Sequence, residues 1–301
     1  MAGWLLYNSR EDLLLFFNLQ FYNVLSLYLI YLLQFLISTI PFLLIIHRYR
    51  ERAIPIIEWF KIMFVSRMAN NLVSKSGSVY KAYILKNSFD FTYTHYFHVA
   101  TMYSWLKVFM NLVLVSLCLL LFMPELKFGD YSALLIMGLL SIVVFLSPFA
   151  IDRVFYFLKP KTGFMLTIYN KVARIIMALI ENAKDITFMS KLISLILMQF
   201  GLYVVLFKIL FTGINIDIGY AELSLFIAIQ QVSVLLFITP GNIGVRELLY
   251  GVVGGAIGIG VAEGVVVSAL LRVVTYLVIF PFGLAFGGIK IFQAGNRVDD
   301  N

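Results

Sequence analysis

The chain has 301 residues, 61% of them hydrophobic and 13% charged, against roughly 45–50% apolar and ~25% charged in soluble domains. That much apolar surface cannot be hidden by so few polar side chains, which excludes a soluble enzyme, a disordered chain and a disulfide scaffold, the lone Cys118 having no partner. The net charge of +7 comes from bases flanking apolar runs, which points to an anionic lipid surface and not to nucleic acid, so the chain reads as an all-α, polytopic integral membrane bundle.

In chain order, the first residues, M-A-G-W-L-L-Y-N-S-R, carry no basic leader before an apolar stretch, so no cleavable signal peptide is expected. Segment 12–26 is apolar but holds Asn18, Gln20 and Asn23, which suits an interfacial or partial element. A bilayer span needs ~20 apolar residues. Runs of that kind occur at 27–46 (with Gln34 and Pro41), 103–123 (Lys107 near its start), 133–151 and 192–211 (Gln199 and Lys208). Two more lie at 223–239, ending at Pro240, and at 264–289, which carries Arg272. Segment 248–260 is apolar but short. Hydropathy thus gives about six full spans plus one or two partial ones.

Two segments are basic: the one after the first run, with Arg48, Arg50, Arg52, Lys61, Arg67, Lys75, Lys81 and Lys86, and 152–191. By contrast, 124–132 and 213–222 are acid-rich, so the basic pair is expected on the cytoplasmic side and the acidic pair outside. The C-terminal tail, with Lys290 and Arg297, joins the cytoplasmic side if 248–260 crosses. Stretches 55–73 and 164–182 place polar groups at helical spacing among apolar ones. They read as amphipathic helices that lie on the inner leaflet or fold partly into it.

The sharpest local pattern is T-P-G-N-I-G-V-R-E at 239–247. Pro240 and Gly241 stop a helix, Gly244 allows a tight path, and Arg246 with Glu247 opens the next run. A broken helix of this kind exposes backbone amides that favour an anion, and a guanidinium beside them matches phosphate. Arg246 could equally be a snorkelling residue paired with Glu247. The glycines that follow form small-xxx-small pairs (Gly251/Gly255, Gly254/Gly258, Gly260/Gly264) and call for close helix packing. Arg272 lies mid-run, where a charge costs ~2.5–3.5 kcal/mol even on the mildest scale. It therefore needs a partner, either an acid (Glu247 or Glu263) or a substrate. Lys107 and Lys208 stand nearer run ends and are expected to snorkel.

The run T-P-G-N-I-G-V-R-E-L-L-Y, followed by glycines and S-A-L-L-R-V-V-T-Y, resembles the lysylphosphatidylglycerol synthase transmembrane (flippase-like) family, whose members show a P-G-G-x-G-x-R-E type motif and then an arginine in the next helix. Arg246, Glu247 and Arg272 match those positions. In the first half, N-N-L-V-S-K-S-G-S-V-Y-K-A-Y-I-L is similar to the family's N-x-x-x-P-x-x-x-G-E-x-x-R-A-x-x-L pattern, with Gly77 and Lys81 at its glycine and arginine. Ser74 and Ser78 replace its proline and glutamate, and an E-R pair is missing around Trp105–Lys107.

The recurrence of a glycine-plus-base motif suggests one membrane domain over 1–301 with an internal repeat, 27–151 and 190–289. The resemblance implies a cell-membrane, multi-pass protein that handles an anionic phospholipid or a polyprenyl-phosphate-linked lipid in envelope biogenesis. Its expected substrate-binding residues are Arg246, Glu247, Arg272, Gly241, Gly244 and Lys81. A membrane glycosyltransferase and a non-catalytic partner of envelope biosynthesis enzymes remain as alternatives. No cofactor pattern is legible; Asp299–Asp300 lie at the tail, and His95 and His98 are spaced i, i+3 without an evident third metal ligand.

Overall fold

In hydrocarbon the backbone must satisfy its own polar groups, so apolar stretches become long helices. The computed structural model describes residues 21–49, 53–157, 184–236 and 239–288. Among these are nine α-helices: α1 (Phe21–Arg48), α2 (Ile56–Leu72), α3 (Ser76–Phe89), α4 (Tyr93–Phe122), α5 (Ala133–Phe157), α6 (Ile186–Gly213), α7 (Tyr220–Leu236), α8 (Val245–Ala256) and α9 (Val261–Gly283). A two-residue antiparallel ribbon, Lys127–Phe128 with Tyr131–Ser132, joins α4 to α5.

Among the described residues, five helices are long and apolar enough to cross a bilayer, those in α1, α4, α5, α6 and α9. The run expected at 223–239 falls on α7, described over Tyr220–Leu236, with residues 237–238 outside the described residues. Residues 12–20 of the first segment, the amphipathic stretch 164–182, and the tail with Lys290, Arg297 and Asp299–Asp300 lie outside the described residues. Leu25, Leu29 and Leu33 line one exposed stripe of α1, whereas Gln34, Thr39, Gln199, Gln230 and Gln231 are buried. Apolar side chains outside and polar ones inside is the arrangement that lipid solvent selects.

One end of the bundle gathers the C-terminus of α1 with the N-termini of α2, α4 and α6. Arg48 Nη1 reaches Asp185 Oδ2 at 2.7 Å; Ile54 N donates to His47 Nε2 at 3.0 Å; the Tyr49 and His95 rings stack at 5.8 Å. Asp185 caps α6 by accepting from Phe188 N at 2.9 Å. That amide, and then Arg48, hold its carboxyl below the ordinary aspartate value. At the opposite end Phe122 meets Tyr220, and Lys208 pairs with Asp217 at 2.8 Å.

Two hairpins enter from these opposite ends. In α2–α3, Ser66 Oγ donates to Gly77 O at 2.7 Å and Gly77 N donates to Asn70 Oδ1 at 2.9 Å. The 55–73 stretch thus folds into the bundle, burying Trp59, Ile62, Phe64, Val65 and Met68. In α7–α8, Phe226 packs on Tyr250 and Asn242 Nδ2 donates to Ser233 O at 2.5 Å. The hairpin tips meet where Gly241 backs onto Asn71. The glycine pairs serve α8–α9 packing: a Cβ on Gly254 would strike the Gly260 carbonyl, and one on Gly264 would strike the Tyr250 carbonyl.

A candidate anion site between the hairpin tips

The break in the second hairpin is built from its own sequence. Thr239 Oγ1 donates to Ile243 O at 2.8 Å and Asn242 N donates to Thr239 O at 3.0 Å, closing a short turn over Pro240–Asn242. Gly241 at φ 57° and Gly244 at φ 83° occupy backbone regions that a side chain disfavours. Helix α8 then starts at Val245. The anion at this helix start belongs to the chain itself: Glu247 Oε2 accepts from Gly244 N at 2.7 Å, as a carboxylate in a first turn does.

Glu247 also answers the question that Arg272 poses. Its Oε1 lies 2.5 Å from Arg272 Nη2, with Ser268 Oγ donating to the same oxygen at 3.4 Å. Arg246, only 6% exposed, has no carboxylate in ion-pair range among the described residues. Its Nη1 donates to Gln230 Oε1 at 3.4 Å, an oxygen that also accepts from Tyr250 at 2.8 Å. The Nε atoms of Arg246 and Arg272 are buried without a hydrogen-bond partner among the described residues.

Arg246 and Arg272 line a cleft of about 50 Å³ with Gly241, Asn242, Asn71 and Lys75, so both hairpin tips contribute. A larger cavity of about 240 Å³ lies alongside, lined by Arg67, Lys81 and Lys107 together with Gln34, Tyr103, Tyr203 and Gln230. Arg67 and Asn70 belong to both walls, and among the described residues no aspartate or glutamate lines either space. Lys81 Nζ lies 4.4 Å from the centroid of the Phe42 ring, and Lys107 Nζ lies 5.6 Å from that of Tyr103. These are cation–π contacts that leave the charge unneutralised.

Of the expected site residues, Gly241, Arg246 and Arg272 share the smaller cleft, Lys81 lines the larger cavity, and Gly244 and Glu247 stand outside both linings. Lys107 is a correction: α4 turns it into the cavity instead of letting it snorkel, whereas Lys208 reaches the bundle end, where it pairs with Asp217, a partner the sequence reading did not name. Arg67 was missed. Its signal in the sequence was a lone guanidinium on an apolar helix face, three residues before Asn70. His95 and His98 lie at the Tyr49 end, outside both linings, with ring centroids 6.1 Å apart. Among the described residues, no group of three His, Cys, Asp or Glu side chains gathers for a metal.

The family described as "Lysylphosphatidylglycerol synthase TM region" matches residues 4–283 of the chain. No curated protein and no solved structure matches it.

Proposed function

Since the chain belongs to the lysylphosphatidylglycerol synthase TM-region family, we propose that it moves phosphate-headgroup lipids between leaflets, in envelope lipid or polyprenyl-phosphate-linked glycan biogenesis at the cell membrane. The observation that carries this reading is the pair of adjoining spaces, sharing Arg67 and Asn70, where among the described residues Arg67, Lys81, Lys107 and Arg246 meet no carboxylate. Unneutralised cations at bilayer depth are expensive, and an anionic headgroup offsets that expense.

Two further features support an amphiphile. Ala100 and Ser104 line both the larger cavity and a shallow groove of about 470 Å³ formed with Trp105, Val108 and Val144. A headgroup in the cavity can therefore keep its tail outside, along α4 and α5. The second feature is the order of elements. Helices α1 and α4 flank one hairpin, α6 and α9 flank the other, and the hairpins point at each other from opposite ends. An inverted repeat with its site at the meeting of broken helices suits alternating access. In this reading Glu247 positions Arg272, Gly241 and Gly244 shape the break, and Arg246 and Lys81 contact phosphate.

Reconstituted liposomes carrying fluorescent phosphatidylglycerol test the reading. The wild type accelerates exchange between leaflets, and Arg246→Ala abolishes most of the gain while Lys208→Leu retains it. Equal exchange by wild type and Arg246→Ala removes the assignment.

A further inference from the structure

Resting on that reading, we infer that the headgroup bound in the larger cavity carries at least two negative charges, as a diphosphate-linked lipid does. The single charge of a phosphodiester is too little, and the net positive charge of an aminoacylated headgroup has the wrong sign. The cavity collects one guanidinium and two ammonium groups, from Arg67, Lys81 and Lys107. None has a carboxylate within ion-pair distance among the described residues.

The contrast with Arg272 decides the matter. Where the fold buries Arg272, it supplies Glu247 at 2.5 Å. Among the described residues no acid lines the cavity. A monoanion would leave two of the three cations unmatched in a low-dielectric interior, where an unpaired charge is penalised. Two linked phosphates instead give the planar fork of Arg67 a bidentate partner and each lysine a point contact. The neutral groups of the wall, Gln34, Ser78 and Gln230, can donate to the remaining phosphoryl oxygens. Size agrees: about 240 Å³ is below the ~300–1,000 Å³ of pockets that enclose a drug-sized molecule. The cavity therefore suits a headgroup and excludes the hydrocarbon.

The test is a binding titration of the full chain in nanodiscs with geranylgeranyl diphosphate, geranylgeranyl methyl monophosphate (a phosphodiester held at one negative charge, where a free monoester would carry nearly two), lysylphosphatidylglycerol and inorganic pyrophosphate, read by native mass spectrometry. The diphosphate lipid is expected to bind roughly tenfold or more tighter than the monophosphate. Lys107→Gln and Lys81→Gln should each shrink that ratio while monophosphate binding, which reports a folded site, persists. Equal affinity for the two prenyl lipids, or tightest binding of lysylphosphatidylglycerol, overturns the charge requirement and leaves the phosphate-lipid reading standing. Pyrophosphate binding as tightly as the diphosphate lipid overturns the lipid source. Failure of every anion to bind overturns both readings.

Discussion

Glu247 joins three parts of the second hairpin: the Gly244 amide, the Arg272 guanidinium and, at longer range, the Ser268 hydroxyl. Its side chain and that of Arg272 are 10% and 15% exposed, so removing one charge strands the other. Glu247→Gln is expected to lower stability by about 3–5 kcal/mol, against at most about 1 kcal/mol for Lys208→Leu at the exposed Asp217 pair. Thermal unfolding in detergent compares the two, and equal shifts would contradict a buried pair. For lipid handling, Arg272→Leu should likewise do more damage than Lys208→Leu. At this scale the sequence showed that Arg272 needs a partner, because a mid-run charge has few alternatives. It did not show that Lys107 faces inward. The rotation of α4 is set by contacts far away in the chain, Tyr103 OH donating to Ser38 O and Trp105 Nε1 to Val144 O, both at 2.8 Å.

Among elements, the α8–α9 hairpin shows most directly how small residues position the site. Gly254 and Gly264 let the backbones touch, and that contact fixes Arg272 on α9 opposite Glu247 on α8. Gly254→Ala should cost about 1–3 kcal/mol, because its neighbour is backbone that cannot move aside. Gly138→Ala in α5, where a Cβ meets nothing within 4 Å, should leave the thermal midpoint unchanged or raised. A neutral Gly254→Ala would contradict the packing described. The spacing of these glycines was readable from the sequence, and so was the break at Pro240. The course of α2 was not. Its polar face excluded a span, yet partners distant in the chain draw it into the bundle, among them Thr39, which accepts from Trp59 Nε1 at 3.1 Å, and Phe35, 4.6 Å from the Phe64 ring.

Taken as a whole, the molecule sets two hairpins tip to tip between long helices. The alternation of basic and acidic connections predicts which end is which. With Cys118 replaced by serine, a cysteine at Asp130 should react with an impermeant maleimide from outside intact cells. One at Lys184 should react only after permeabilisation; the reverse pattern would invert the orientation, and labelling of both from one side would break the opposed ends. The expectation of a repeat came from the slight similarity of S-G-S-V-Y-K and N-I-G-V-R-E. The sequence could not show that the two hairpin tips meet, because the cleft that Asn71 and Lys75 share with Gly241 and Arg246 exists only once both hairpins are folded. The most direct measurement is a cryo-electron-microscopy map of the protein in nanodiscs rich in anionic lipid. The account predicts headgroup density between Arg67 and Arg246 with a tail leaving past Ser104; lipid density confined to the outer surface, with only water between those arginines, would contradict it.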